Sequence, residues 1–183
     1  MKRITLAVTG SISAYKAADL TSQLTKAGFE VTVLMTEAAT QFITPLTLQV
    51  LSKQLVHTDV MAEPFPDKVN HIELAKQTDL FLVAPATANT IAKLAHGFAD
   101  NIVTTLALAL PKGTPKVLAP AMNTAMYENS LTQANLETLK KVGYQLIDPR
   151  ETLLACGDYG KGALADLPFI LETVKEIIHE KTI

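Results

Sequence analysis

One cysteine, no surplus of positive charge and no long apolar run mark this 183-residue chain, and each shortage removes a class of protein. The single thiol, Cys156, cannot close an intrachain disulfide, which fits a reducing cytoplasm. Sixteen Lys and Arg stand against eighteen Asp and Glu for a net charge of -2, and no basic stripe is present, so no nucleic-acid partner is expected. The apolar opening Ile4-Thr5-Leu6-Ala7-Val8 is too short for a signal-peptide core, and the other greasy stretches meet Thr or Pro well before a spanning length. No membrane segment is expected either. Repeats, linkers, low-complexity segments and metal-ligand clusters are also missing, and the length suits one domain over 1–183. What is plentiful is apolar side chain, at 48% of residues with a mean hydropathy of +0.22. Such an excess reads either as subunit interface or as additional core.

The order of elements points to an α/β fold. Buried strands are expected over 3–9, 31–35, 78–83, from Lys116 to a break at Pro120, and over 144–147. Between them lie helical patterns. The first places Ala14, Ala17, Ala18, Leu24 and Ala27 on one side and stops at Gly28. Pro45 reads as a break, Glu63-Pro64-Phe65-Pro66-Asp67 as a loop, and 102–110 as a helix with almost no polar face. Ser130 with Gln133 reads as a capping box for a helix closed by Gly143, and Pro168 opens a terminal amphipathic helix. Strands alternating with helices predict a doubly wound parallel sheet in the flavodoxin-like order, a Rossmann-like layout.

In such sheets ligands bind beyond the carboxyl ends of the strands, which singles out four stretches. Gly10-Ser11-Ile12-Ser13-Ala14 follows the first strand, and Ser11 and Ser13 there either serve an anion or simply cap a helix. It lacks the further glycines of a dinucleotide fingerprint, so one phosphate suits it better than two. Thr36 ends the second strand. Ala84-Pro85-Ala86-Thr87-Ala88-Asn89-Thr90 is a loop of small residues that admits a flat ring and offers donors and acceptors. Asn123, in Pro120-Ala121-Met122-Asn123 with Met126 beyond, either recognises a carboxylate or ring carbonyl or caps the next helix. His71 is an acid/base candidate or a capping, half-buried histidine. In 154–164 three glycines, at 157, 160 and 162, argue against a stable helix or strand. That stretch reads as a mobile flap at about 150–165 carrying Cys156, whose place outside any core favours a chemical role.

Taken together and in order, the Gly10-Ser11 turn, Asn70-His71-Ile72, 85–90, Pro120-Ala121-Met122-Asn123 with Met126, and Ala155-Cys156-Gly157-Asp158 resemble the homo-oligomeric flavin-containing cysteine decarboxylases. The resemblance covers nearly the whole chain. It implies FMN, with Gly10, Ser11, Ser13, Thr36, Thr87, Ala88, Asn89, Thr90 and Ala121 around the phosphate, ribityl chain and ring. It implies the substrate 4'-phospho-N-pantothenoylcysteine, with Asn123, Met126 and Ala155 as its contacts. The cysteine moiety is oxidised to a thioaldehyde, carbon dioxide leaves, and the enethiolate is protonated and re-reduced to 4'-phosphopantetheine in coenzyme A biosynthesis. His71 is implied as base or charge partner of the oxidative half and Cys156 as the proton donor of the second. Relatives build the flavin site at contacts within trimers, often grouped into dodecamers. Many carry a C-terminal synthetase domain, and this sequence resembles the stand-alone form. Two alternatives share the pattern: a peptidyl-cysteine decarboxylase of lantibiotic maturation and a non-catalytic flavin-binding regulatory subunit.

Overall fold

The computed structural model describes residues 1–63 and 69–180; most of the proline-punctuated loop read at 63–67 lies outside them. The chain runs β1 (Arg3–Val8), a 3-10 turn (Ile12–Tyr15), α1 (Lys16–Lys26), β2 (Glu30–Met35), α2 (Glu37–Thr40), α3 (Pro45–Ser52) and β3 (Val56–His57). It continues through α4 (Asn70–Gln77), β4 (Leu80–Ala86), α5 (Ala88–Ala95), α6 (Ile102–Ala109), β5 (Lys116–Pro120), α7 (Thr124–Glu128) and α8 (Ser130–Lys141). β6 (Tyr144–Leu146), β7 (Arg150–Leu153), β8 (Tyr159–Ala163) and α9 (Leu167–Glu180) complete it.

Six strands form one sheet in the order β3-β2-β1-β4-β5-β6, all parallel. Without the two-residue β3 at the edge, this is the flavodoxin-like order. Because parallel strands need crossover helices, both faces of the sheet are covered and its central strands are apolar throughout. Alternate residues of β1 show the division. Ile4, Leu6 and Val8 join the core under α1, α3 and α9, while Ala7 joins the core under α4, α5, α6 and α8. Thr5, fully buried among them, satisfies its hydroxyl against Thr78 at 2.7 Å.

Several local readings change. Leu20 and Thr21, not Ala27, complete the buried face of α1. Pro45 starts a helix instead of breaking one: it occupies the first turn of α3, whose cap is Thr44. Asn129, not Ser130, caps α8 by accepting from Leu131, and Gln133 donates to the Tyr127 carbonyl, so the expected capping box is absent. β4 runs on through Ala84, Pro85 and Ala86, residues read as loop, because β5 pairs Pro120 with Ala86 and prolongs the ladder.

The largest correction is at 150–163. β7 and β8 pair as an antiparallel hairpin despite the glycines. Two of those glycines permit contact. A Cβ at Gly162 would meet the Met122 carbonyl oxygen at 2.2 Å, and one at Gly160 would meet Thr124 Oγ1 at 2.5 Å. The Met122 N–H donates to Gly162 O at 2.9 Å, so the base of the hairpin is fastened to the segment after β5. Only Gly157, at the turn, has a positive φ, at +91°.

Candidate active site

The carboxyl ends of β1, β2, β4 and β5 open into a cavity of about 710 Å³, within the range of small-molecule sites. Gly10 and Ser11, Thr36, Thr87 to Thr90, Ala121, Asn123, Met126, Ala155 and Cys156 all line it. Residues scattered over 147 positions of chain thus meet because parallel strands all end on one edge.

Three helix starts converge there, each capped by a hydroxyl. Ser11 accepts from the Ser13 N–H at 3.2 Å, Thr36 from Ala39 at 3.3 Å, and Thr87 from Thr90 at 3.2 Å. The positive ends of these turns face the cavity, which favours an anion without a cationic side chain. Cations are in fact scarce: among the described residues Lys93 is the one basic residue of the lining, against Glu37 and Asp100. Lys93 is paired to Asp100, whose carboxyl that bond holds below its usual range. The capping and anion readings of Ser11 are therefore compatible, since its hydroxyl caps a turn whose N–H groups stand at the cavity. Gly10 is required by packing, since a Cβ would fall 2.5 Å from Ala38 Cβ. Thr9, which the sequence did not single out, ties two strand ends together: its hydroxyl donates to Pro85 O at 2.6 Å and accepts from the Thr87 N–H at 3.0 Å.

A phosphate at the capped helix starts and a planar ring against Gly10, Ala88 and Ala121 suit this lining, so the residues present fit a flavin mononucleotide.

Opposite the helix starts stands a polar triangle. Asn123 caps α7 through Oδ1, accepting from the Ala125 N–H at 2.8 Å, while Nδ2 donates to Asp158 Oδ2 at 3.0 Å and to Cys156 Sγ at 3.3 Å. The capping reading of Asn123 holds at its oxygen, while its nitrogen is engaged by Asp158 and Cys156. Cys156 is exposed at the hairpin turn, and its thiol donates to Asp158 Oδ2 at 3.3 Å.

Two expected members are not brought in. Ser13 does not line the cavity; its backbone N–H serves Ser11 instead. His71 lies in the first turn of α4, outside the cavity, half-buried, with Nδ1 buried and without a hydrogen-bond partner. The sequence reading also missed Lys93 and Asp100. They stand seven residues apart on either side of the Gly97 turn, so the pair forms across a break between two helices and not along one helix face.

Comparison with known proteins gives this arrangement a setting. The chain is 65% identical over 175 residues to a probable phosphopantothenoylcysteine decarboxylase of Streptococcus mutans serotype c, covering 96% of this chain and 98% of that one. It is 44% identical over 181 residues to the coenzyme A biosynthesis bifunctional protein CoaBC of Bacillus subtilis, covering 99% of this chain and 44% of the relative, under half its length. A cysteine-to-serine mutant of PPC decarboxylase, solved in complex with pantothenoylaminoethenethiol, superposes with a TM-score of 0.88 at 35% identity over 96% of this chain and 97% of that one. The FMN-binding protein AtHal3 superposes with a TM-score of 0.84, also at 35% identity, over 96% of each chain. The Flavoprotein family model matches residues 1–179, and with the parallel sheet, the capped helix starts and these relatives in agreement, the chain belongs to that family.

Proposed function

We propose that this chain is an FMN-dependent decarboxylase that converts 4'-phospho-N-pantothenoylcysteine to 4'-phosphopantetheine in coenzyme A biosynthesis. The observation that carries the reading is the meeting of Asn123 and Cys156, 3.3 Å apart, at a cavity lined by helix starts. The identity to the decarboxylase of Streptococcus mutans supports it. FMN, when bound, supplies a reversible two-electron sink for oxidation and re-reduction of the substrate's cysteine moiety. Gly10, Ser11 and Thr36 hold the phosphate end, while Ser13, outside the cavity lining, gives its N–H to Ser11 Oγ and so fixes that turn. Thr87, Ala88, Asn89 and Thr90 flank the ribityl chain and ring, and Ala121 lies against the ring. Asn123 binds the substrate carboxylate, and Met126 and Ala155 line its path. After carbon dioxide leaves, the Cys156 thiol gives its proton to the enethiolate carbon, and the resulting thiolate recovers a proton from water.

His71 acts as the base or charge partner of the oxidative half. Because it lies outside the cavity of its own chain, we assign it to the cavity of a neighbouring copy in a homo-oligomer, a trimer or a dodecamer. The exposed side chains of Phe42, Leu46 and Val50 on and beside α3 support such assembly. We further read 1–183 as one domain with the hairpin at about 150–165 as its substrate flap, working in the cytoplasm. Among the described residues no helix is long and apolar enough to cross a membrane. Cys156 separates this reading from a peptidyl-cysteine decarboxylase, whose enethiol product needs no such proton.

The decisive test is Cys156→Ser, mixed anaerobically with the substrate. Carbon dioxide should be released, flavin absorbance should stay bleached and an enethiol-type product should accumulate, because a hydroxyl is a far weaker acid than a thiol. Full conversion to 4'-phosphopantetheine would remove Cys156 from the mechanism, and a wild-type protein that releases no carbon dioxide would overturn the function.

A further inference from the structure

The amide of Asn123 is fully engaged. Its nitrogen carries two hydrogens, one directed at Asp158 Oδ2 at 3.0 Å and the other at Cys156 Sγ at 3.3 Å, and its oxygen is taken by the Ala125 N–H. No donor is left for a ligand carboxylate. The group at the far end of the shorter of the two contacts of the nitrogen is itself a carboxylate, with the charge that the substrate would bring. Asp158 also accepts the Cys156 proton, so a single oxygen holds both residues on which the two half-reactions depend.

We propose that Asp158 is a positioning residue that stands in for the substrate carboxylate: it holds Asn123 and Cys156 together in the free enzyme and yields Asn123 to the substrate. The proposal rests on the decarboxylase reading above. Two carboxylates cannot share one amide nitrogen without like-charge repulsion, so binding of the substrate displaces Asp158. What moves is confined to the turn. The hairpin base is fastened at Gly162 to Met122, while the turn is held as a unit by Leu154 N–H to Asp158 O at 2.8 Å and Gly157 N–H to Leu154 O at 2.9 Å. Displacing Asp158 therefore carries Cys156 with it, clear of the carboxylate that is about to leave. Loss of carbon dioxide removes the competitor, Asp158 re-engages Asn123, and the thiol returns as the enethiolate needs its proton. Asp158 changes no bond; it times the proton transfer from Sγ to carbon.

The test compares flavin-loaded wild type with Asp158→Ala and Asp158→Asn. Without substrate, iodoacetamide should alkylate Cys156, the single thiol, several-fold faster in Asp158→Ala, because the thiol is released from its acceptor. With substrate, KM should fall about threefold to tenfold, since the internal competitor is gone, while reoxidation of the flavin slows by about tenfold or more. Asp158→Asn, uncharged but of the same size, should fall between wild type and Asp158→Ala on all three measures, and it stands alone if the alanine variant does not load flavin. A raised KM with both half-reactions slowed, or an unchanged alkylation rate, would overturn the proposal and leave Asp158 as a structural member of the hairpin. Absence of carbon dioxide release by wild type would instead strike the decarboxylase reading, which the alkylation arm does not use.

Discussion

The two walls of the cavity are built on different physical terms. On one side, the turns after β1, β2 and β4 grow out of strands buried on both faces, and their hydroxyls are committed to capping the helices they begin. Thr9 binds β1 to β4 across the edge. On the other side, Cys156 and Asp158 are exposed and Asn123 is half-buried, and the side chains of the first two find their partners within the triangle. A cofactor that stays bound calls for a fixed cradle, whereas a substrate that enters, loses carbon dioxide and leaves calls for contacts that can be exchanged. Local stability divides accordingly, since few buried contacts and solvent-exposed hydrogen bonds make a segment easy to open.

Substitutions can separate the walls. The largest effect is expected from His71→Asn, which touches neither wall of its own chain: bound FMN should be retained while carbon dioxide release falls by about 10²–10⁴-fold, the usual worth of acid–base assistance. Mixed oligomers of His71→Asn with Cys156→Ser should regain part of the lost turnover, because some hybrid sites would hold one intact copy of each residue; no recovery would place His71 in its own chain's site. Gly162→Ala should come next. Its methyl cannot coexist with the Met122 carbonyl at 2.2 Å, so the hairpin base must shift, and a displacement of about 1 Å can cost roughly a hundredfold in rate. Flavin content should be unchanged, and a normal rate would show that the hairpin is not part of the active wall.

Asn123→Asp should raise KM by about tenfold or more while leaving flavin content and helical signal intact. The new carboxylate faces Asp158 as well as the substrate and has lost the donating nitrogen. Unchanged affinity would reduce Asn123 to its capping role. Smallest in its effect on turnover is Thr9→Val, which leaves the Thr87 N–H without its acceptor at the cradle; it should cost roughly 1–3 kcal/mol in chemical denaturation with turnover per bound flavin preserved. Equal loss of turnover per flavin would mean the walls are not separable.

The fold was legible because parallel strands announce themselves: runs such as Leu80 to Val83 are apolar on both faces, and the helices between them show a polar side. The edge strand β3 escaped because its two residues are too few to carry a pattern. The hairpin escaped because glycine was read as freedom, when at 160 and 162 it serves close approach to Thr124 and Met122, a property of the partner surface and not of the segment itself. At the site, residues clustered at strand ends were readable, since the topology alone brings Gly10, Thr36, Thr87 and Asn123 to one edge. His71 could be recognised as chemically able, but its place outside the cavity follows from the packing of α4 on α6, which no local pattern states. Lys93 with Asp100 is likewise a product of how α5 and α6 meet.

The exposure of Cys156 carries a cost of its own. A thiol at an open turn is accessible to peroxide, and its first oxidation product, a sulfenic acid, is normally rescued by a second thiol that closes a disulfide. This sequence holds no other cysteine. Within one chain an oxidised Cys156 therefore has no resolving partner, and a small external thiol is the route by which the sulfenic acid returns to thiol before it passes to the irreversible sulfinic acid.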